Sequence, residues 1–511
     1  MTQATTRIRN RTLSFEIIAI GVFQMPTETD DLVHHLAYAA ANSAFESLSP
    51  EAIEAAKKSI LDTLGVILAA SGVEPAVRAA IDLVREGGGT PEASLMAFGG
   101  KLPAIAAAFA NGALAHCLDY DDQTPWGQHA SSSIIPAVFA VAERKGGVTG
   151  KDLIAAVATG QDLFARLRCN VGWRKDWNLS TVVGVFAATA AAGRVLGLSA
   201  SQLAHALGIA SMQSSGVMEV VAGTGSDLRG MYAGFSARGA VTAVLLAEKG
   251  TTGVDTLFEG EYGFLKTYFG GVYDRAQILE GLGSDYRGSG TLYKKWPAVG
   301  TAHSHIHATI ELLKENELTA DDLIEIRVFV GDYHDLMCRP LEARRTPTTL
   351  VDAKFSLPFL VAVGAVHGTV KISHFSSESL KDKSVLAVAQ KIVPISDASL
   401  DWTLELPPGR VEIVTQDGRR YEKTGTGVPG NDDAPLSWSD LAEKFSDCAA
   451  VAVTKHSDDV IVKVVDLIKN LESLDDATVV MENLSPAVDE RFSLKYETSS
   501  QSTSTESEAR S

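Results

Sequence analysis

The stretch SPEAIEAAKKSILDTLGVILAA, residues 49–70, decides how the rest of the chain is read. Ser49 is a good N-cap, Pro50 falls at the first helical position, and Glu51 sets a negative charge at the positive end of the helix dipole. Ile53, Ala56, Ile60, Leu64 and Leu68 then recur every three or four residues, the period of a helix with one buried face. The same style extends outward and predicts helices over 31–45, 104–118, 134–144, 150–168, 181–196, 199–216 and 233–250. These segments are rich in Ala and Gly, which lets helices approach closely. Gly197-Leu198-Ser199 closes one helix with a glycine and opens the next with a serine cap.

Beyond Gly283 the pattern changes. DLIEIRVFVG, residues 322–331, alternates Ile324, Ile326, Val328 and Val330 as a strand does. RVEIVTQ at 410–416, followed by Asp417-Gly418, reads as a hairpin on a DG turn. Helical patterns at 300–316, 348–367 and 376–393 lie between these strands, and a further helical region follows from 437 to about 474. The expected fold is mainly α: a large all-helical domain interrupted by a smaller α+β lid domain. The boundaries predicted are an N-terminal extension at 1–29, helical domain at 30–285, lid at 286–430, a helical return segment at 431–490 and a tail at 491–511.

Composition narrows the function classes. The 511 residues carry 45 Lys and Arg against 63 Asp and Glu, a net charge of −18. Such a chain offers no electrostatic footprint for nucleic acid or an anionic membrane, so an anionic substrate needs a local basic pocket. Four scattered cysteines, Cys117, Cys169, Cys338 and Cys448, form no CxxC pair and fit a reducing compartment. No apolar run reaches the ~20 residues of a membrane helix. Residues 1–24 contain Arg7, Arg9 and Arg11 with one acid, Glu16, and read as an extension ahead of an internal start at Met25, with a transit peptide as the alternative. A cytoplasmic location is expected, with a mitochondrial one as alternative. The tail ETSSQSTSTESEARS has no core-forming residues.

Four constellations can carry chemistry. ALAHCLDYDDQTPWGQHASSS, residues 113–133, gathers Asp119, Asp121, Asp122 and His129. Carboxylates so close repel one another and shift each other's pKa, and a histidine beside them is an acid/base near neutral pH. A capped, solvated turn and a metal site are the competing readings. GTGSDLRGMYAGFSARG, 223–239, enters a helix whose Arg229 and Tyr232 share a face, with Arg238 about two turns on; a helix start with an arginine suits a carboxylate. LYKKWPAVGT, 292–301, puts Lys294 and Lys295 at the domain junction, where ligand clefts are common. CRPLEARRTPTTLVDAKFSLP, 338–358, supplies Arg339, Arg344 and Arg345. His303, His305 and His307 lack the glutamate of HExxH and fit ordinary helix packing, GTGVPG at 425–430 opens no helix and reads as a loop, and Cys117 reads as core.

Several of these stretches together resemble the MmgE/PrpD family of 2-methylcitrate dehydratase, cis-aconitate decarboxylase and iminodisuccinate epimerase. They are NGALAHCLDYDDQ, HASSS, NLSTVVGVFAATAAAGRVLGLS, DLRGMYAGFSARGA, YGFLKTYF, YKKWPAVGTAH and DAKFSLPF, in the family's order over about residues 30–480. The resemblance implies a homodimer and cofactor-free, metal-free acid/base chemistry on a small polycarboxylate held between two domains. It implies His129 as the general acid/base, Lys294 and Arg229 as carboxylate-binding catalytic groups, and Asp119 as the residue that orients His129 or a substrate hydroxyl. Gln123, Asn178 and Tyr232 are then pocket residues. Three positions depart from the decarboxylases: Asn178 stands where they carry a second histidine, Arg229 where they carry lysine, and Gln123 where they carry threonine. Tyr333 is only a neighbour of the family's lid tyrosine. The expected activity is a cis-aconitate decarboxylase-like lyase, on an alkylated citrate or aconitate derivative in one form of the reading. A dehydratase of a 2-methylcitrate-like hydroxy acid, an epimerase, and a polycarboxylate-binding paralogue without turnover are the alternatives.

Overall fold

The computed structural model describes residues 25–223 and 226–485. The expectations for residues 1–24 and for the tail at 491–511 lie outside the described residues.

The helix at the start of the reading forms as its sequence dictates. Ser49 Oγ accepts the Ala52 amide at 3.2 Å, Pro50 opens the helix, and it runs to Val73 before Glu74 turns extended. Its second half is buried on every side, from Ser59 to Ser71. The helix Trp438–Ala450, from the far end of the chain, packs along it. A Cβ on Gly72 would lie 1.9 Å from the Val451 carbonyl oxygen, so the two segments touch backbone to backbone. The chain therefore leaves the helical body, builds a second region, and returns to complete the first.

Ala104–His116 and Leu228–Glu248 form the closest helix pair in the body. At their crossing a Cβ on Gly234 would sit 2.5 Å from the Phe109 oxygen, and one on Gly112 2.8 Å from Gly234 Cα. Only glycine permits this approach, and it fixes the C-terminal end of one helix against the N-terminal turns of the other. Leu228–Glu248 starts five residues before the predicted 233. The predicted 181–196 helix is a short turn, Leu179–Val182, capped by Asn178, then Gly184–Leu196. The predicted 199–216 helix stops at Ala210; the expected Ser199 cap is extended by Gln202 into a capping box, and Gly197 is left-handed at φ 82°. Leu179–Leu196 is long and apolar enough to cross a membrane, yet 89% of it is buried inside the protein, as befits a core helix.

A second hydrophobic cluster, from Trp296 to Val428, surrounds a four-stranded sheet. The strands lie in the order Ile392–Ser396, Leu323–Val330, Arg410–Thr415, Arg420–Thr424. The predicted hairpin turns at Asp417-Gly418, with Gly418 at φ 82°. The strand Ile392–Ser396 corrects the predicted 376–393 helix. The helix Lys383–Gln390 ends early, and IVPIS pairs parallel with Ile326–Val330. The segment is β-branched, and Pro394 lacks the amide a central strand needs, which suits this strand to the sheet edge. The predicted 348–367 helix breaks at Phe355, and Ser356 caps the second part through the Phe359 amide at 3.1 Å. The glycines of GTGVPG lie in a loop as predicted. Gly425 packs against the Ser304 carbonyl and Gly430 against the Tyr293 carbonyl, so their role is close backbone contact.

Candidate active site

The helix Ala104–His116 ends at the first constellation. Asp119 follows in a left-handed conformation, φ 48°, which turns the chain back and buries four side chains together. Asp121 sits between two imidazoles. His116 Nδ1 lies 3.1 Å from each of its carboxylate oxygens, and His129 Nδ1 lies 3.0 Å from Oδ2. His129 Nδ1 also lies 2.8 Å from the Asp122 carbonyl oxygen. An Nδ1–H shared between two acceptors fixes the ring, and Nε2 then points to Asp119, 3.3 Å away. The Lys294 ammonium closes on the same Asp119 oxygen and on the Asp119 carbonyl oxygen at 2.9 Å.

The charges set each other's protonation. Burial pulls the His129 imidazole down, but the Asp121 carboxylate, helped by Asp119, outweighs it and holds the pKa above the ordinary histidine value. Burial dominates at His116 and lowers it. Burial would raise Asp119, but the Lys294 ammonium and His129 hold it below the usual carboxylate range. Asp121 is held well below that range by the two imidazoles despite its burial. Asp122 goes the other way: burial, with Asp62 adding repulsion, raises it to about 7.

This network forms one wall of a narrow cleft, a cavity of about 50 Å³, between the helical body and the sheet-containing region. Asp119, Gln123, His129, Asn178, Arg229 and Tyr232 all line it, so six of the seven residues singled out from the sequence converge on one surface. Lys294 does not line it; it stands behind Asp119, paired with it. Arg229 is buried, with its guanidinium carbon 3.4 Å from the centre of the Phe355 ring, and it donates to the Val221 carbonyl and, at 3.4 Å, to Met337 Sδ. Among the described residues no carboxylate lies within ion-pair distance of it. Burial lowers its pKa to about 10, which still leaves it charged at neutral pH. Asn178 accepts the Ser180 amide at 3.2 Å through Oδ1, while its buried Nδ2 has no hydrogen-bond acceptor among the described residues. The backbone of Gln123 pairs with Leu292, which ties the cleft floor to the domain junction. Tyr232 lies against His116, ring centres 4.3 Å apart.

The fourth constellation is elsewhere. Arg344 is buried on the carbonyls of Leu336, Arg339 and Phe355, Arg345 pairs with Glu342, and Arg339 is an exposed partner of Asp335. All three hold the second region together rather than facing the cleft. Arg238 lies over Phe109 and Phe235, also away from the cleft. His303 and His305 are buried packing residues bonded to backbone carbonyls of Ala298 and Phe329. Sequence reasoning missed His116, although it precedes Asp119 by three residues at a helix end. It also missed Trp173, Trp402 and Leu406, which line the cleft from segments with no polar signature. Tyr333 lines the cleft too.

His116, Asp119, Asp121 and His129 offer four ligand atoms within 4.8 Å of one another, a set that can hold a metal ion. Each carboxylate in the set already has a cationic or N–H partner: Lys294 on Asp119, and the imidazoles on Asp121. A divalent ion would have to displace these contacts, whereas proton transfer uses them as they stand.

The sequence is similar to a known family over most of its length. The MmgE/PrpD N-terminal domain matches residues 34–276 and the MmgE/PrpD C-terminal domain matches residues 296–470. A cis-aconitate decarboxylase of Aspergillus terreus is 26% identical over 473 residues, covering 87% of this chain and 94% of the relative. The human cis-aconitate decarboxylase is 25% identical, covering 74% of this chain and 79% of its own length. A mitochondrial 2-methylcitrate dehydratase of Yarrowia lipolytica is 23% identical, covering 82% and 84%. With both domain models matched in order, and the cleft formed where the two matched regions meet, the chain belongs to the MmgE/PrpD family.

Proposed function

We propose that this protein is a lyase that acts on a small polycarboxylate by acid/base chemistry without a metal, in the manner of a cis-aconitate decarboxylase. The observation that carries the reading is Arg229. It is buried, lines the cleft and has no carboxylate within ion-pair distance among the described residues, which is costly, and an anionic substrate beside it offsets that cost. Asn178 Nδ2 supplies a second donor at the same cleft.

The reaction needs one group that moves a proton at carbon. In decarboxylation the C–C bond to a substrate carboxylate breaks, CO₂ leaves, and the electron pair spreads into a neighbouring unsaturated carboxylate. Arg229 holds that carboxylate and stabilises its growing charge. The imidazolium of His129 then gives its Nε2 proton to carbon, and the neutral ring is reprotonated from solvent. Asp121 and the Asp122 carbonyl hold the ring in place, and the pair Asp119–Lys294 sets the field at Nε2. The sheet-containing region serves as a lid over the helical body. Dehydration of a citrate-like hydroxy acid is the second reading. The similarity to a 2-methylcitrate dehydratase over most of the chain supports it, and the same His129 would protonate a leaving hydroxyl. The protein is further proposed to act as a homodimer.

Proton NMR in D₂O with cis-aconitate and 2-methylcitrate tests the function. Decarboxylation gives a deuterated product with release of CO₂, and dehydration gives a new alkene signal without it. Arg229→Met should lower kcat/KM for either substrate by about tenfold to a hundredfold, the worth of a hydrogen bond to a charged group. Absence of turnover with both, or turnover indifferent to Arg229→Met, would refute the proposal.

A further inference from the structure

The lining of the cleft is of two kinds. His129, Asp119, Asn178 and Arg229 make up the polar part; Trp173, Gly127, Trp402 and Leu406 make up the other. Trp402 and Leu406 come from the segment 401–406 of the sheet-containing region. Trp402 stands edge-on to Trp173 at 5.0 Å and to Tyr333 at 4.5 Å. The segment is tied down across the cleft. Arg168 donates to Gln128 Oε1 at 2.5 Å and to the Leu404 carbonyl at 3.4 Å, and lies over the Trp173 ring. The Leu406 amide donates to the Pro125 carbonyl at 3.3 Å, and Trp402 Nε1 to the Leu404 carbonyl at 3.0 Å. Gly127, at φ 82°, leaves room for this closure: a Cβ there would lie 2.7 Å from Leu406 Cδ2 and 2.9 Å from the Trp402 ring.

This side offers apolar surface to the cleft; its nearest cation, Arg168, does not line the cleft, lying over the Trp173 ring and bonded to Gln128 and the Leu404 carbonyl. Arg229 is the one Lys or Arg that lines the cleft among the described residues, and Lys294 is engaged by Asp119. A compact ligand with carboxylates on all sides would put one of them against indole and leucine, where nothing compensates its desolvation. A ligand with a hydrocarbon arm on that side fits both kinds of lining.

Building on the proposed lyase reading, we infer that the substrate carries, besides its Arg229-bound carboxylate, an apolar substituent that lies against Trp402 and Leu406, and that these two residues set the length it can have. The residues determine specificity rather than chemistry, so their signature is a change in preference between substrates.

The test is a series of cis-aconitates bearing hydrogen, methyl, propyl or hexyl on the methylene carbon, with kcat/KM measured for wild type, Leu406→Ala and Leu406→Trp. Burial of each added methylene is expected to raise kcat/KM by about fourfold until the arm meets Leu406. Leu406→Ala moves the optimum to a longer arm and Leu406→Trp to a shorter one. Thermal stabilisation by saturated 2-alkylsuccinates of the same lengths is read in parallel and should follow the same order. A profile that falls with length, or one unmoved by both Leu406 variants, overturns the inference while His129-dependent turnover of cis-aconitate keeps the lyase reading. Stabilisation that grows with length without turnover of any member keeps the inference and removes the lyase.

Discussion

At the scale of single residues, the site is an arrangement of buried charges that fix one another's protonation. His129 shares Asp121 with His116 and faces Asp119 with its other nitrogen, so ring orientation and basicity come from the same two carboxylates. Asp122 is the exception, a buried acid raised to about 7 next to Asp62. Its folded-state pKa lies above the unfolded value, so the native state binds more protons between about pH 4 and 7. The stability it contributes is present below the unfolded pKa and lost as pH rises through 7. Asp122→Asn should flatten this fall: relative to wild type, the variant's Tm rises between pH 5 and pH 8, as thermal unfolding at the two values would show. An equal Tm difference at both would contradict the assignment. Asp119, Asp121 and His129 could be picked out from the sequence because charged residues clustered near an apolar helix are conspicuous. His116 could not, because a histidine at the end of an alanine-rich helix looks like any packed ring until its partner is seen. Trp173, Trp402 and Leu406 carry no polar signal at all and meet only through the fold.

At the scale of elements, the site depends on one helix crossing. Ala104–His116 delivers Asp119 at its end, Leu228–Glu248 delivers Arg229 at its start, and Gly112 and Gly234 let their backbones touch. Gly234→Ala places a methyl 2.5 Å from the Phe109 oxygen, against backbone that has no flexible end to yield. It should cost about 1–3 kcal/mol by overpacking and lower activity, since the two helices carry opposite walls. Chemical denaturation with a parallel activity assay measures both; a loss below 0.5 kcal/mol, about the noise of a surface change, would show that the crossing has slack. Helix caps and periods were legible because they are local: Ser49, Gly197 and Ser199 act where the sequence puts them. The strand Ile392–Ser396 was not legible. Its short apolar run continues the preceding helical pattern, and only pairing with Leu323–Val330 makes it extended.

At the scale of the molecule, the body made by residues on both sides of the sheet-containing region exposes an apolar stripe on one of its helices. Leu228, Phe235 and Leu246 are 48%, 40% and 39% exposed, and their spacing of seven and eleven residues keeps them on one side of the Leu228–Glu248 helix. A face of this kind on the helix that carries Arg229 suits the proposed second copy of the chain. Light scattering should give twice the chain mass of 54.1 kDa, and Phe235→Asp should return it to that of a single chain. A single-chain mass for wild type would contradict the dimer. The mainly helical class was readable across the whole length because it rests on repeated periodicity. The meeting of the two regions at the cleft was not, since it joins residues more than two hundred positions apart, such as Trp173 and Trp402.

In the proposed reaction His129 moves the proton in a carboxylate-binding cleft. The most direct measurement is kcat for wild type and His129→Gln on the substrate found by NMR, with Tm recorded for both. The variant should lose about 10²–10⁴-fold in kcat with Tm nearly unchanged, because glutamine can still donate to Asp121. A kcat within threefold of wild type would contradict that role.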